Sequence, residues 1–131
     1  MILVDTCIWS EALRKKKSQN REAVLLLKQA IIDNRVHMMG AIRQEILSGI
    51  KDKKTFNTLK EKLRAFPDLL LAEEDFELAA DYFNLCRKKG IQGSNTDFLI
   101  CSVATNRNLE IFTSDEDFKK FKKFIPIRLF D

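Results

Sequence analysis

Short apolar runs separated by longer stretches of helical periodicity limit the fold of this chain more than any other feature. Ile2-Leu3-Val4, Arg35-Val36-His37-Met38-Met39, Leu69-Leu70-Leu71 and residues 110–113 and 125–129 each read as strands of a few residues. Between them, helical patterns run from about Ser10 into a lysine run and over 20–33, 41–50, 53–65, 74–89 and 95–106. The 20–33 stretch shows the logic: Asn20 offers a cap, and Val24, Leu27 and Ile31 fall on one face. Strands that alternate with helices predict an α/β architecture, a central, mostly parallel sheet of about five short strands flanked by helices. Four glycines and two prolines in 131 residues leave no linker, so residues 1–131 are expected to form a single domain with short connections.

Composition then removes several classes. Cys7, Cys86 and Cys101 are odd in number and lack C-x-x-C spacing, which argues against a disulfide framework or a zinc knuckle. Asp5 interrupts the opening apolar run before it can act as a signal-peptide core, and no apolar run approaches the ~20 residues that span a bilayer. A soluble, cytoplasmic protein with no membrane partner is expected. Charge is uneven: residues 1–66 hold 14 Lys+Arg against 7 Asp+Glu, and residues 67–131 hold 9 against 12. Basic clusters lie at Arg14-Lys15-Lys16-Lys17, Lys51-Asp52-Lys53-Lys54, Arg87-Lys88-Lys89 and Lys119-Lys120-Phe121-Lys122-Lys123. One such run alone is a solvated helix end; four around a separate acidic site suit a polyanionic substrate.

The acids are placed where a parallel sheet puts ligands, just past the carboxyl ends of strands. Asp5 follows the first strand, and Asp115 follows Thr113 in Glu110-Ile111-Phe112-Thr113-Ser114-Asp115-Glu116-Asp117-Phe118. Two further carboxylates fall on apolar stripes. Glu45 is in phase with Ile42, Ile46, Gly49 and Ile50, and Asp97 with Ile100, Cys101 and Ala104, so both are expected to face the core. Each has an ordinary structural explanation. Asp97 is a first-turn residue beside the candidate caps Ser94, Asn95 and Thr96; Asp5 and Asp115 suit N-caps, and Glu45 suits an ion pair. Four such coincidences converging on one sheet edge favour a site instead.

Clustered carboxylates repel and must take up protons or cations. Oxygen ligands without His or Cys select hard ions, Mg²⁺ or Mn²⁺, over zinc, and His37, the only histidine, sits on a strand as a core-edge residue. Carboxylate-held divalent ions activate water and neutralise phosphoryl charge.

Leu3-Val4-Asp5-Thr6-Cys7-Ile8-Trp9, Gln44-Glu45-Ile46-Leu47-Ser48-Gly49, residues 95–104 (NTDFLICSVA) and 112–118 (FTSDEDF) together resemble the PIN-domain nucleases, most nearly the VapC-type toxins of VapBC toxin–antitoxin modules. The resemblance spans essentially the whole chain, with the four motifs in order. It implies that Asp5, Glu45, Asp97 and Asp115 are the catalytic, metal-binding acids, with Asp117 supporting them. It also implies auxiliary roles for the Thr6 and Thr113 hydroxyls and, in a more variable loop, for Ser94 and Asn95. The activity implied is an Mg²⁺- or Mn²⁺-dependent endoribonuclease that uses one or two ions and leaves 5′-phosphate and 3′-hydroxyl ends. The partners implied are an RNA substrate, a VapB-type antitoxin and a second toxin copy in a homodimer. A haloacid-dehalogenase-type phosphatase would need a second acid where Cys7 stands, and a receiver-type phosphoacceptor domain would need adjacent early acids and a late Lys. A binding-only RNA or protein module stays open on the residues alone. So do core and partner-facing roles for Leu25-Leu26-Leu27, residues 69–85 and Trp9.

Overall fold

The computed structural model describes residues 1–13 and 20–131, so the Arg14–Lys17 cluster and the end of the first predicted helix lie outside the described residues. The frame is a parallel sheet of β1 (Ile2–Val4), β2 (Val36–His37), β3 (Glu110–Phe112) and β4 (Arg128–Leu129), in the order β2-β1-β3-β4. Ile2, Leu3 and Val4 are fully buried. A strand that is apolar at every position is what a parallel sheet covered on both faces requires, because neither face meets water.

Seven helices are described: α1 (Thr6–Leu13), α2 (Arg21–Ile32), α3 (Gly40–Leu47), α4 (Lys53–Leu63), α5 (Glu73–Lys88), α6 (Asn95–Arg107) and α7 (Asp117–Phe121). The caps follow from the sequence. Asn20 accepts the Ala23 N–H at 3.1 Å to open α2, and Asp52 accepts the Thr55 N–H at 3.1 Å to open α4. The central helix is α6. Phe98, Ile100, Cys101, Ser102, Val103 and Ala104 are all buried, so it is covered on almost every side, and Ser102 satisfies its hydroxyl on the Asp75 carbonyl at 2.7 Å. Asn108, in the left-handed region at φ 55°, ends it and turns the chain into β3. Trp9 is core, packed edge-to-face on Phe66 with ring centres 4.9 Å apart.

The chain passes from β1 to β2 on one side and then returns to place β3 on the other side of β1. That reversal puts the switch point of the sheet between β1 and β3, where a crevice opens outside their carboxyl ends. Val4 lies opposite Phe112, and the Asp5 N–H bonds the Phe112 carbonyl at 2.9 Å, so the residues leaving the two strands start side by side.

Four differences from the sequence reading have local causes. First, α1 begins at Thr6 rather than near Ser10, because the Asp5 carbonyl accepts the N–H groups of Ile8 and Trp9 as soon as β1 ends. Second, Leu69-Leu70-Leu71 is not a strand. A single parallel bridge joins Met38 to Asp68, the Leu69 N–H bonds Met38 at 2.8 Å, and Leu70 projects into solvent at 91% exposure, so the fifth strand is reduced to one contact. Third, β4 starts at Arg128 because Pro126 has no N–H to give a ladder. Fourth, α3 ends at Leu47, where Ser48 turns extended and Gly49 takes φ 84°.

Candidate active site

At the switch point, Asp5 is 6% exposed and its carboxylate is held on both oxygens. Oδ1 accepts the Thr6 N–H at 2.7 Å, and Oδ2 accepts the Thr113 hydroxyl at 2.8 Å and the Cys7 thiol at 3.5 Å. Thr113 then links the two strand ends, because the same hydroxyl oxygen accepts the Asp115 N–H at 3.0 Å. Asp115 Oδ1 in turn accepts the Asp117 N–H at 2.9 Å, which fixes its carboxyl at the start of α7.

The other two acids come from helices on either side. Glu45 is exposed rather than core-facing, which corrects the expectation from its apolar stripe. The helix turns its Ile42–Ile46 edge inward and leaves Glu45 at the margin, where its Oε1 accepts the Thr6 hydroxyl at 2.6 Å. Asp97 is half-buried and performs the capping role open to it. Its Oδ2 accepts the Ser94 N–H and its own N–H bonds the Ser94 hydroxyl, both at 3.0 Å. The capping bonds occupy one oxygen of Asp97 and leave the carboxylate facing the other acids.

Electrostatics tie the four together. Burial pushes the Asp5 carboxyl above its ordinary value against the pull of Thr113, Thr6 and Cys7, and the negative charge of Asp97 adds to the rise. Burial likewise raises Asp97, offset by its bonds to Ser94, and the charges of Asp115 and Glu45 raise it further. No Lys or Arg side chain among the described residues bonds either carboxylate. Among the described residues, no three His, Cys, Asp or Glu side chains stand at ready-made metal-ligating spacing. Mutual repulsion keeps carboxylates apart until a cation offsets it, and the donors here, all oxygens, suit a hard divalent ion.

Asp117, by contrast, presents its backbone to the site and its carboxylate to Lys120, 3.6 Å away on the surface. Asn95 also turns elsewhere. It lines, with Phe76, Phe83 and Leu99, a cavity of about 380 Å³ between α5 and α6. The residue that sequence reading did not single out is Cys7. Its sulfur donates to Asp5, sits 3.4 Å from the Thr113 hydroxyl and accepts the Ser114 N–H at 3.4 Å. Only the β1–β3 pairing brings residue 7 beside 113, so no local pattern could have announced it.

Residues 2–124 match the model of the PIN domain. The chain belongs to the PIN-domain family. Within it, this PIN domain is 34% identical over 122 residues to Ribonuclease VapC11 of Mycobacterium tuberculosis, covering 90% of this chain and 89% of that protein. It is therefore a PIN domain of the VapC type. Its fold is shared with FitAcB from Neisseria gonorrhoeae, at a TM-score of 0.80 and 23% identity over 100% of this chain and 97% of that one. VapBC2 from Rickettsia felis, solved bound to a DNA fragment from its promoter, aligns at a TM-score of 0.79 and 20% identity over 99% and 98%.

Proposed function

We propose that this chain is an Mg²⁺- or Mn²⁺-dependent endoribonuclease and the toxin of a type II toxin–antitoxin pair. The observation that carries the reading is a carboxylate pair, buried Asp5 and half-buried Asp97, with no bonded Lys or Arg among the described residues, at the switch point of the sheet, with Glu45 and Asp115 beside it. The similarity to proteins named as VapC ribonucleases supports the substrate class. The VapBC solved structure supports an antitoxin partner, and a toxin homodimer is part of the same reading.

Asp5, Asp97, Asp115 and Glu45 would hold one or two ions, and a bound divalent ion supplies phosphoryl charge neutralisation and acidifies water. The chain supplies position. Thr113 aligns Asp5 and Asp115 through one hydroxyl, Thr6 holds Glu45 toward Asp5, and Ser94 orients Asp97. Such outer bonds fix how carboxylates present their oxygens. Hydrolysis in this cleft adds water oxygen to phosphorus, breaks the P–O3′ bond and passes the proton to the leaving oxygen. The products are 5′-phosphate and 3′-hydroxyl ends.

The test is cleavage of a labelled structured RNA with Mg²⁺ or Mn²⁺, with EDTA, and with an Asp97→Asn variant. Asn keeps an oxygen to accept the Ser94 N–H but removes the charge. Metal-dependent cuts that vanish in the variant are the expected result; cuts that persist in EDTA would refute the assignment.

A further inference from the structure

Two of the four basic clusters meet in one wall, where the end of α5 lies against α7 and the residues after it. Arg87, Lys88 and Lys89 close α5, and Lys119, Lys120, Lys122 and Lys123 lie on and just after α7; all seven are exposed. An aromatic stack holds the two segments together. Phe83 of α5 packs on Phe98 of α6 with centres 5.5 Å apart, Phe98 on Phe121 of α7 at 4.7 Å, and Phe121 on Phe118 at 5.3 Å. Gly93 seals the junction. A Cβ there would stand 2.6 Å from Phe121 and 2.9 Å from Phe98, so only glycine lets the 89–94 connection lie this close. Lys89 crosses the same seam, its ammonium 5.9 Å from the centre of the Phe124 ring.

The stack fixes this wall relative to the chemistry, because Asp97 immediately precedes Phe98, and Asp115 lies three residues before Phe118. The cations are unequal. Lys119 bonds Glu116 at 3.0 Å and Lys120 faces Asp117, whereas Arg87, Lys88, Lys89, Lys122 and Lys123 have no ion-pair partner among the described residues. These five cations, gathered at the end of α5 and just after α7, repel one another within and between the two segments. A polyanion laid across both relieves that repulsion. Phe124, 38% exposed beside Lys89, adds a ring face on which a base can stack.

We infer that the wall formed by Arg87–Lys89 and Lys122–Phe124 is the track on which a single-stranded RNA lies beside its scissile phosphate. This deepens the nuclease reading and rests on it for the position of the cut, but the binding surface is tested separately. The experiment compares the wild-type chain with two variants of equal charge change. One carries Lys88→Gln, Lys89→Gln, Lys122→Gln and Lys123→Gln; the other carries Lys28→Gln, Lys60→Gln, Lys62→Gln and Arg64→Gln on α2 and at the end of α4. Affinity for a labelled single-stranded 20-nucleotide RNA is measured in EDTA across a salt series. Hydrolysis of bis-p-nitrophenyl phosphate is measured with Mn²⁺.

The wall variant is expected to bind RNA roughly tenfold or more weakly near 0.1 M salt, with a log–log salt slope shallower by about 3, since each single-strand phosphate contact contributes ~0.7. The small diester, too short to reach the wall, should be hydrolysed at the wild-type rate, and the second variant should bind RNA as wild type does. Equal losses in both variants, or wild-type RNA affinity in the wall variant, would overturn the inference. If wild-type RNA affinity came with lost affinity for polyglutamate, the wall would be an acidic-protein surface instead. Failure of the wild type to hydrolyse either substrate would refute the nuclease reading, while the EDTA binding series would still decide the track.

Discussion

Two buried aspartates, Asp5 at 6% exposure and Asp75 at 2%, are treated in opposite ways. Asp75 is fully answered. Arg107 grips it with two N–H bonds at 2.7 and 2.9 Å, Asn106 donates at 2.9 Å, and its Oδ2 reaches back to the Ala72 N–H at 2.8 Å to open α5. These bonds, led by that to Arg107, hold its carboxyl well below the usual carboxylate range despite burial. Asp5 and Asp97 receive hydroxyl, thiol and backbone donors but, among the described residues, no guanidinium or ammonium, and their carboxyls rise. The chain can neutralise a buried acid where architecture requires it. Leaving the second group uncompensated costs stability that a functional site absorbs, and it leaves room for a cation from solution.

The comparison breaks most visibly at Arg107. Arg107→Ala leaves Asp75 buried and unpaired and is expected to destabilise the fold by about 3–5 kcal/mol, read as a lower denaturant midpoint. Loss of less than about 1 kcal/mol would mean that the pair is ornamental. Asp97→Asn should do the reverse. Activity on RNA falls by about a hundredfold or more, the usual scale for removing a group that stabilises charge in a transition state, while thermal stability without divalent ions holds or rises. Mn²⁺ is expected to stabilise the wild type thermally, and the same variant should lose most of that stabilisation.

Thr113→Val sharpens the contrast within the site. It keeps the side-chain shape but removes the hydroxyl shared by Asp5 and Asp115, so Mn²⁺ affinity should weaken by roughly ten- to a hundredfold with little change in the fold. Calorimetric titration with Mn²⁺ checks this; an unchanged affinity would show that the two acids align without it.

The smallest effect is in pH, and the two groups should give opposite signs. For Asp75 the folded pKa is depressed, so its stabilisation is complete above the unfolded value of about 3.9 and is lost as pH falls through the lower folded value. For Asp5 and Asp97 the folded pKa is raised. The folded state binds protons more tightly, and stability is gained as pH falls through the raised value toward ~3.9. Urea titrations in EDTA should therefore show Asp75→Asn flattening the acid-side loss, and Asp97→Asn flattening the gain just above it. Identical slopes in wild type and both variants would deny the contrast.

Much of this arrangement is legible in the sequence. Strand–helix alternation gave the parallel sheet, and strand-end position gave Asp5 and Asp115, because both are local patterns. Asp97 was legible twice over, as a first-turn cap and as a charge in line with Ile100, Cys101 and Ala104, all of which are buried. What escaped depended on tertiary partners. The Leu69-Leu70-Leu71 run is apolar enough for a strand, but composition does not say whether a neighbour offers a ladder, and among the described residues only Met38 does. Glu45 shared the phase of an apolar stripe yet sits at its margin, a distinction of a few tens of degrees that periodicity cannot resolve. Cys7, and the grip of Arg107 on Asp75 from 32 residues away, join groups that no local window contains.

The pairing of Val4 with Phe112 carries a consequence for the order of events during synthesis. Asp5 leaves the ribosome well before its partner hydroxyl on Thr113, which is 108 residues downstream. Until β3 has emerged and slotted against β1, a growing chain holds its acids apart and has no assembled centre. Contacts this distant in sequence form late, because loop closure must precede them. Whatever chemistry the crevice performs therefore waits for residues 110–115, and a chain stopped before residue 110 carries three of the four acids without the strand that aligns them.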